Sequence, residues 1–258
     1  MRIKQEKMLI FFYILSFFIL SFIIIVLAEP IFSQILFGLD DFFSVCRDPE
    51  VWSSIGLTIG ASFLATGVSS LFGIPLAYIL ARKEFFGKRM VESVVDLPIM
   101  IPHMVAGIAL FSVFNRHGLI GAPLSPIINF FDAIPGIVVA MQFVSAPFFI
   151  NPVREGFQSV DPHLENVARS LGASEWKAFY KVTIPISYRY ILSGIGMSWG
   201  RGISEFAAVI LLAYYPMVVS TLIYERFLIY GLAGSRPVAV LLMLICLGIF
   251  ISFRSIRR

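Results

Sequence analysis

The sequence predicts an all-α integral membrane protein with six transmembrane helices and both termini cytoplasmic. Three observations predict it. Hydrophobic residues make up 58% of the 258 and charged residues 14%, with a mean hydropathy of +0.88, well outside the range of soluble globular domains. Six windows are apolar over roughly the 20 residues that a bilayer core about 30 Å thick demands of a helix. Lysine and arginine crowd into alternate segments between those windows, as they do on the cytoplasmic side of membranes.

The windows cover residues 8–28, 53–81, 93–114, 133–150, 190–213 and 237–253. The first is rich in Phe, Ile and Leu on all sides, which suits a peripheral, lipid-facing helix. Its basic start and the VLAEP that ends it resemble a signal peptide. An apolar run of about 21 residues exceeds the roughly 7–15 of a signal core, so an uncleaved span is expected. In the second window Ser54, Thr58, Ser62, Thr66 and Ser70 recur every four residues. That spacing lines hydroxyls along one face, either as a packing seam or as a wetted path, with packing favoured. The third window enters through DLPIMIP, and Pro98, Pro102 and Gly107 make it irregular, which a membrane protein tolerates where the freed backbone is buried or solvated. His103 lies in that irregular stretch, where a packing role is favoured over a pathway role.

The fifth window, SGIGMSWGRGISEFAAVILL, holds the unusual chemistry. Gly196, Gly200, Ser204 and Ala208 form a second small-residue seam at spacing four. Arg201 and Glu205 stand one helical turn apart near the middle of the span. Inserting an arginine at such a depth costs about 2.5–3.5 kcal/mol, so the pair should face protein or water. It is either a self-paired strut or a source of positive potential for an anion path, with Glu205 steadying the guanidinium and Ser204 beside it.

With the amino terminus inside, the cytoplasmic segments carry Arg2, Lys4, Lys7, Arg82, Lys83, Lys88, Arg89, Arg154, Arg169, Lys177, Lys181, Arg189, Arg254, Arg257 and Arg258. Outside lie only Arg47, Arg116, Arg226 and Arg236. The net charge of +4 then reflects topology and not nucleic-acid binding, because the basic residues are spread over four segments. The chain divides into residues 1–52, a first helix and external segment; residues 53–254, a core that includes a cytoplasmic loop at 152–189; and a basic tail, 255–258. No regulatory domain is expected after the last span.

Several function classes are excluded. Walker A, GxSxG and HExxH patterns are missing from the sequence. Cys46 is expected outside and Cys246 within a span, which argues no disulfide, metal cluster or redox pair. A non-enzymatic chain without cofactor or metal is expected.

One polar stretch, DPHLENVARSLGASEWKAFYKVTIPIS at residues 161–187, interrupts the apolar pattern. Asp161 can cap a helix that has Pro162 at its first position and Glu165 near its positive end. Leu164, Val167, Ala168 and Leu171 then form one apolar stripe. Gly172 can end that helix in a left-handed conformation. Ser174 can cap a second helix with Trp176, Phe179 and Tyr180 on one face, which Pro185 is expected to stop. Short amphipathic helices with no core of their own must dock onto something. The scarcity of basic residues on the first helix favours a protein over a lipid surface.

The stretch LENVARSLGASEWKAFYKVTIPIS resembles the cytoplasmic EAA loop of ATP-binding-cassette importer permeases. Aligned on Gly172, the Glu-Ala-Ala positions are Asn166, Val167 and Ala168, with Glu165 just upstream and Val182, Ile184 and Pro185 in the final part. The leading carboxylate is therefore replaced by Asn166 or displaced to Glu165. From about Trp52 onward the chain is similar to the permeases of molybdate and tungstate importers of the archaeal type. FGIPLAYILARKEFFGK, VVDLPIMIPHMVAGIAL, PGIVVAMQFVSAPFFIN, SWGRGISEFAAV and YYPMVVSTLIYERF carry that likeness.

The resemblance implies a type I importer transmembrane domain in a cell membrane, paired with a second copy of itself, two ATPase subunits and an external oxyanion-binding protein. It further implies that Leu164, Glu165, Asn166, Val167, Ala168, Leu171, Gly172 and Pro185 couple the chain to the ATPase. Ala207 stands where related oxyanion permeases often have Gly. Sulfate or thiosulfate remain alternative cargoes, and a secondary transporter without an ATPase is a more distant one.

Overall fold

A computed structural model describes residues 2–256 as thirteen helical segments with no strand among them. Arg257 and Arg258 of the basic tail lie outside the described residues, as do the side chains of Arg2, Lys4, Lys7 and Arg254. In chain order the helices are α1 (Arg2–Phe37), α2 (Leu39–Cys46), α3 (Pro49–Arg82), α4 (Lys88–Met100), α5 (His103–Phe114), α6 (Gly121–Leu124) and α7 (Ile134–Ser159). There follow α8 (Pro162–Ser170), α9 (Glu175–Ala178), a π-helical stretch (Phe179–Thr183), α10 (Ile184–Ile203), α11 (Ala207–Leu212) and α12 (Val219–Ile256).

The six expected crossings are not found. Among the described residues four helices are long and apolar enough to span a membrane, within Met8–Phe37, Pro49–Arg82, Ile134–Ser159 and Val219–Phe253, and a fifth exists only if α4 and α5 are taken as one span bent by 114°. The bend falls at Ile101 and Pro102, where the proline-containing stretch breaks the helix. The expected fifth window fails for a different reason. Helix α10 carries Arg189, Arg201 and several Ser and Gly residues that dilute its hydropathy, and it ends at Ile203. Only the six-residue α11 follows. With four crossings both termini still share one side of the membrane, and with five they do not. The last span also begins earlier than expected, so that Arg226 and Arg236 belong to it and not to an external loop.

The chain forms two compact units, one from the residues up to Trp52 with Ile223–Gly248, the other from Ser53–Leu222 with the residues after Gly248. In the first unit, the side chains of residues 8–28 are exposed almost throughout, as the apolar composition of α1 leads one to expect of a lipid-facing helix. Arg236 is held by Ser33 Oγ at 2.8 Å and Gln34 Oε1 at 3.1 Å. Arg226 pairs with Asp48 and Glu50.

The second unit is organised around α7. One apolar cluster joins Ala61 and Ala65 of α3, Leu110 of α5, Ile137, Ala140, Met141 and Val144 of α7, and Ala208, Val209 and Leu212 of α11. Another joins Ala77 of α3 to Phe149, Ile150, Val153 and Phe157 of α7, with Phe179 against it. The hydroxyl column of α3 is a packing seam. Thr58, Ser62, Thr66 and Ser70 return hydrogen bonds to carbonyls three or four residues back, and Thr58 Oγ1 also accepts from the Val219 amide at 2.9 Å. A Cβ added to Gly202 would come within 3.0 Å of the Ser62 Cβ, so α10 approaches α3 closely there. The second expected seam does not form, because Gly196 lies against Phe253, Gly200 meets open space and α10 stops before Ala208.

Candidate functional site

Two constellations stand out, both in the second unit. The first is the polar stretch after α7. Asp161 Oδ1 accepts from the His163 amide at 2.8 Å and opens α8 behind Pro162. Gly172 follows with φ of 88°, a left-handed conformation that a side chain would strain. Ser174 Oγ accepts from the Lys177 amide at 3.3 Å and opens α9. These local features follow the sequence closely. Pro185 does not stop the second helix, however. The chain passes from α9 through the π-helical stretch into α10 with no break, and Pro185 sits in the first turn of α10. A wider π turn just upstream accommodates a ring that cannot donate a backbone hydrogen bond.

Leu164, Asn166, Val167, Leu171 and Gly172 are exposed on this stretch, and Ala168 is half-buried. Leu171 keeps 84% of its surface, which is unusual for a leucine that anchors nothing. Asn166 lines an open groove of about 600 Å³ with Arg169, Ser170, Ala173, Ser174 and Glu175. The expected aromatic face divides: Trp176 and Tyr180 stack on each other and stay exposed, while Phe179 turns inward onto Tyr78.

Glu165 also points inward. Its carboxylate accepts from the Tyr78 hydroxyl at 2.9 Å, from Arg82 Nε and Nη2 at 3.0 and 2.7 Å, and from Thr183 Oγ1 at 2.7 Å. Burial pushes its pKa up, but the hydrogen bonds from Thr183, Arg82 and Tyr78 and the charge of Arg82 outweigh it, so the carboxyl titrates below the ordinary 4.5. The two adjacent positions thus differ: Asn166 faces the open groove, and Glu165 ties α8 to the end of α3 and to the π-helical stretch.

The second constellation lies where two helix breaks meet. Arg201 is in the last turn of α10, and Glu205 lies beyond it, in the gap before α11. The pair nevertheless forms, with Arg201 Nη2 donating to Glu205 Oε2 at 2.9 Å and Nη1 to Ser204 Oγ at 3.1 Å. Glu205 Oε1 accepts from the Ala208 amide at 2.9 Å, which anchors the first turn of α11. His103, at the start of α5, joins them. Its two ring nitrogens lie 2.9 and 3.0 Å from Arg201 Nη2, and Nδ1 is 3.2 Å from Glu205 Oε2. Spacing in the sequence cannot reveal that partnership, since 98 residues separate His103 from Arg201. Helix α5 reaches this position by packing Gly107 against Ala208 and Leu211 of α11.

Residues 73–258 match the binding-protein-dependent transport system inner membrane component family. The chain belongs to that family. The molybdate/tungstate transport system permease protein of Thermococcus kodakarensis is 45% identical over 208 residues, covering 81% of this chain and 79% of that protein. The probable sulfate transport system permease protein of Chlorella vulgaris is 34% identical over 207 residues, 78% of this chain and 77% of that one. Among solved structures, a bacterial ABC transporter involved in the import of alginate matches with a TM-score of 0.76 at 21% identity, over 99% of this chain and 97% of that chain. At that identity the likeness concerns the fold. The permease is thus a multi-pass membrane component of an ABC transport system and not its catalytic part.

Proposed function

We propose that this permease carries molybdate, tungstate or both inward, receiving them from an external binding protein and drawing power from ATPase subunits. The observation that carries the cargo is the 45% identity, over four-fifths of the chain, to a permease named for those two anions. A sulfate cargo is the second reading, supported by the 34% identical sulfate permease. In the working assembly two copies of the chain pair with two ATPases. The exposed stripe of Leu164, Val167 and Leu171, with Asn166, Ala168 and the Gly172 turn, forms the coupling surface against the ATPase, and Pro185 directs the chain back into α10. Glu165 serves this coupling from behind, by holding α8 to α3.

Transport proceeds by alternating access. Nucleotide binding draws the ATPases together, the docked stretches move with them, and the helices behind shift. The difference in affinity of binding protein and nucleotide for the two states supplies the free energy. Arg201, with Glu205 and Ser204, supplies transient positive potential on the path. Competitive uptake of molybdate, tungstate and sulfate into vesicles holding the complete complex tests this reading. Molybdate and tungstate should each suppress the other's uptake at concentrations where sulfate does not; suppression by sulfate alone would select the second reading.

A further inference from the structure

His103 has no part in the transport scheme above, yet it sits within hydrogen-bond distance of both members of the ion pair. We propose that His103 positions Arg201 for the oxyanion, holding the guanidinium when the imidazole is neutral and releasing it when the imidazole binds a proton. This rests on the oxyanion reading and on Arg201 as its contact.

Arg201 Nη2 lies 2.9 Å from Nδ1 and 3.0 Å from Nε2, so the guanidinium faces both ring nitrogens, and the one that carries no proton in the neutral ring is its acceptor. Nδ1 also stands 3.2 Å from Glu205 Oε2. Glu205, Arg201 and His103 then close a triangle of zero net charge. Adding the second proton makes both ring nitrogens donors and sets a cation against a cation at that separation, and the contact must open. The charged ring then donates from Nδ1 to Glu205, a bond strengthened because both its partners are charged. Arg201 thereby loses its acceptor on His103 and shares Glu205 with a competing cation, and the site gains one positive charge.

Surface exposure follows the same order. The Glu205 side chain is 1% exposed, that of Arg201 16% and that of His103 35%, so the carboxylate is the buried anchor and the imidazole the member open to protons. Both movable members stand at chain breaks: His103 follows the 114° bend at Ile101 and Pro102, and Arg201 precedes the gap between α10 and α11. Neither must shift inside a continuous helix. Other charges do not complicate the switch. Helix α11 carries no titratable side chain, and neither do α5 beyond His103 nor the part of α7 before Arg154. Within α7, Arg154 faces Glu92, and Glu155 lines a separate cleft with Arg189. In α3 the titratable side chains beyond Ser53 are Tyr78 and Arg82, both engaged with Glu165.

The test compares wild type with H103Q, whose amide accepts and donates but does not titrate, in vesicles holding the complete complex and radiolabelled molybdate. Between about pH 8 and pH 5.5, where imidazoles titrate, wild-type uptake per ATP hydrolysed should rise roughly fivefold, a typical coupling factor between two sites. H103Q should lose that rise, while effects of pH on the ATPase and binding protein appear equally in both. An equal rise in H103Q overturns the inference and leaves the oxyanion reading standing. Failure of the wild-type complex to take up molybdate, tungstate or sulfate at any pH overturns both. Nitrogen NMR of labelled histidine in the wild-type complex provides a readout that needs no variant to fold. The resonance assigned to His103 should pass from a singly protonated pattern to the doubly protonated one over the same range. A resonance that stays neutral throughout also overturns the inference.

Discussion

Glu165 is the most heavily bonded side chain of the polar stretch, and it brings Tyr78, Arg82 and Thr183 to one carboxylate. Substitution E165Q keeps the shape and removes the charge. It should destabilise the protein by about 1.5–3 kcal/mol, the worth of hydrogen bonds to a charged group, read as a lower thermal-unfolding midpoint. The sign of the pH dependence follows from the lowered pKa. A carboxyl that titrates lower when folded than its ordinary 4.5 contributes its full stabilisation above that value and loses it as pH falls through the folded value. The gap between wild type and E165Q should therefore close on acidification; a gap that widens would show that the charge is not what stabilises. At the other constellation, R201Q removes one charge-assisted contact to a passing anion. It should slow uptake about 10- to 150-fold, as 1.5–3 kcal/mol on a barrier dictates, while the complex still assembles with its ATPase. Loss of folding in place of slowed uptake would make the pair a strut. E205Q should give the same phenotype if the two act as a unit.

At the scale of the element, α8 and its turn are local structures with an unpartnered face. Nothing lies within 4 Å of a Cβ built on Gly172, so G172A meets only the strain of its left-handed backbone, about 1–2 kcal/mol. Transport coupled to ATP hydrolysis should survive it. G172W adds bulk at a surface the ATPase should cover, and should uncouple hydrolysis from uptake. The exposed Leu171 separates docking from folding more cleanly: L171D should change stability by no more than about 0.5 kcal/mol and yet abolish coupled uptake. If coupled uptake survives in L171D, the apolar stripe is not the coupling surface. The break between α10 and α11 belongs to this scale too. Glu205 anchors α11 through the Ala208 amide and ends α10 by bonding back to Arg201, so one carboxylate shapes two helices.

At the scale of the molecule, the four long helices, one of them kinked at Gly231, and the bent pair bear on mechanism more than their number does. A helix pair bent by 114° and the break between α10 and α11 interrupt the helical backbone, and within a bilayer such irregularity is tolerated only where it is buried in protein or lines water. The His103, Arg201 and Glu205 cluster lies between these two irregularities. The purified chain without its ATPase should move no oxyanion across a vesicle membrane under any ion gradient. Sustained uptake in that preparation would make it a secondary transporter.

What the sequence by itself determined is what short-range physics controls: an all-α membrane chain, the caps at Asp161 and Ser174, the turn at Gly172, the apolar stripe and the pairing of Arg201 with Glu205 one turn along. Those features depend on composition or on neighbours within a few residues. Only the tertiary structure decided that the third window bends, that α10 ends before Glu205, that the π-helical stretch carries the chain past Pro185, and that Glu165 turns inward to Arg82 while Asn166 faces out. It also decided that His103 meets Arg201. The physical reason is distance along the chain: partners 83 and 98 residues apart are chosen by how helices pack, and no local pattern records that choice.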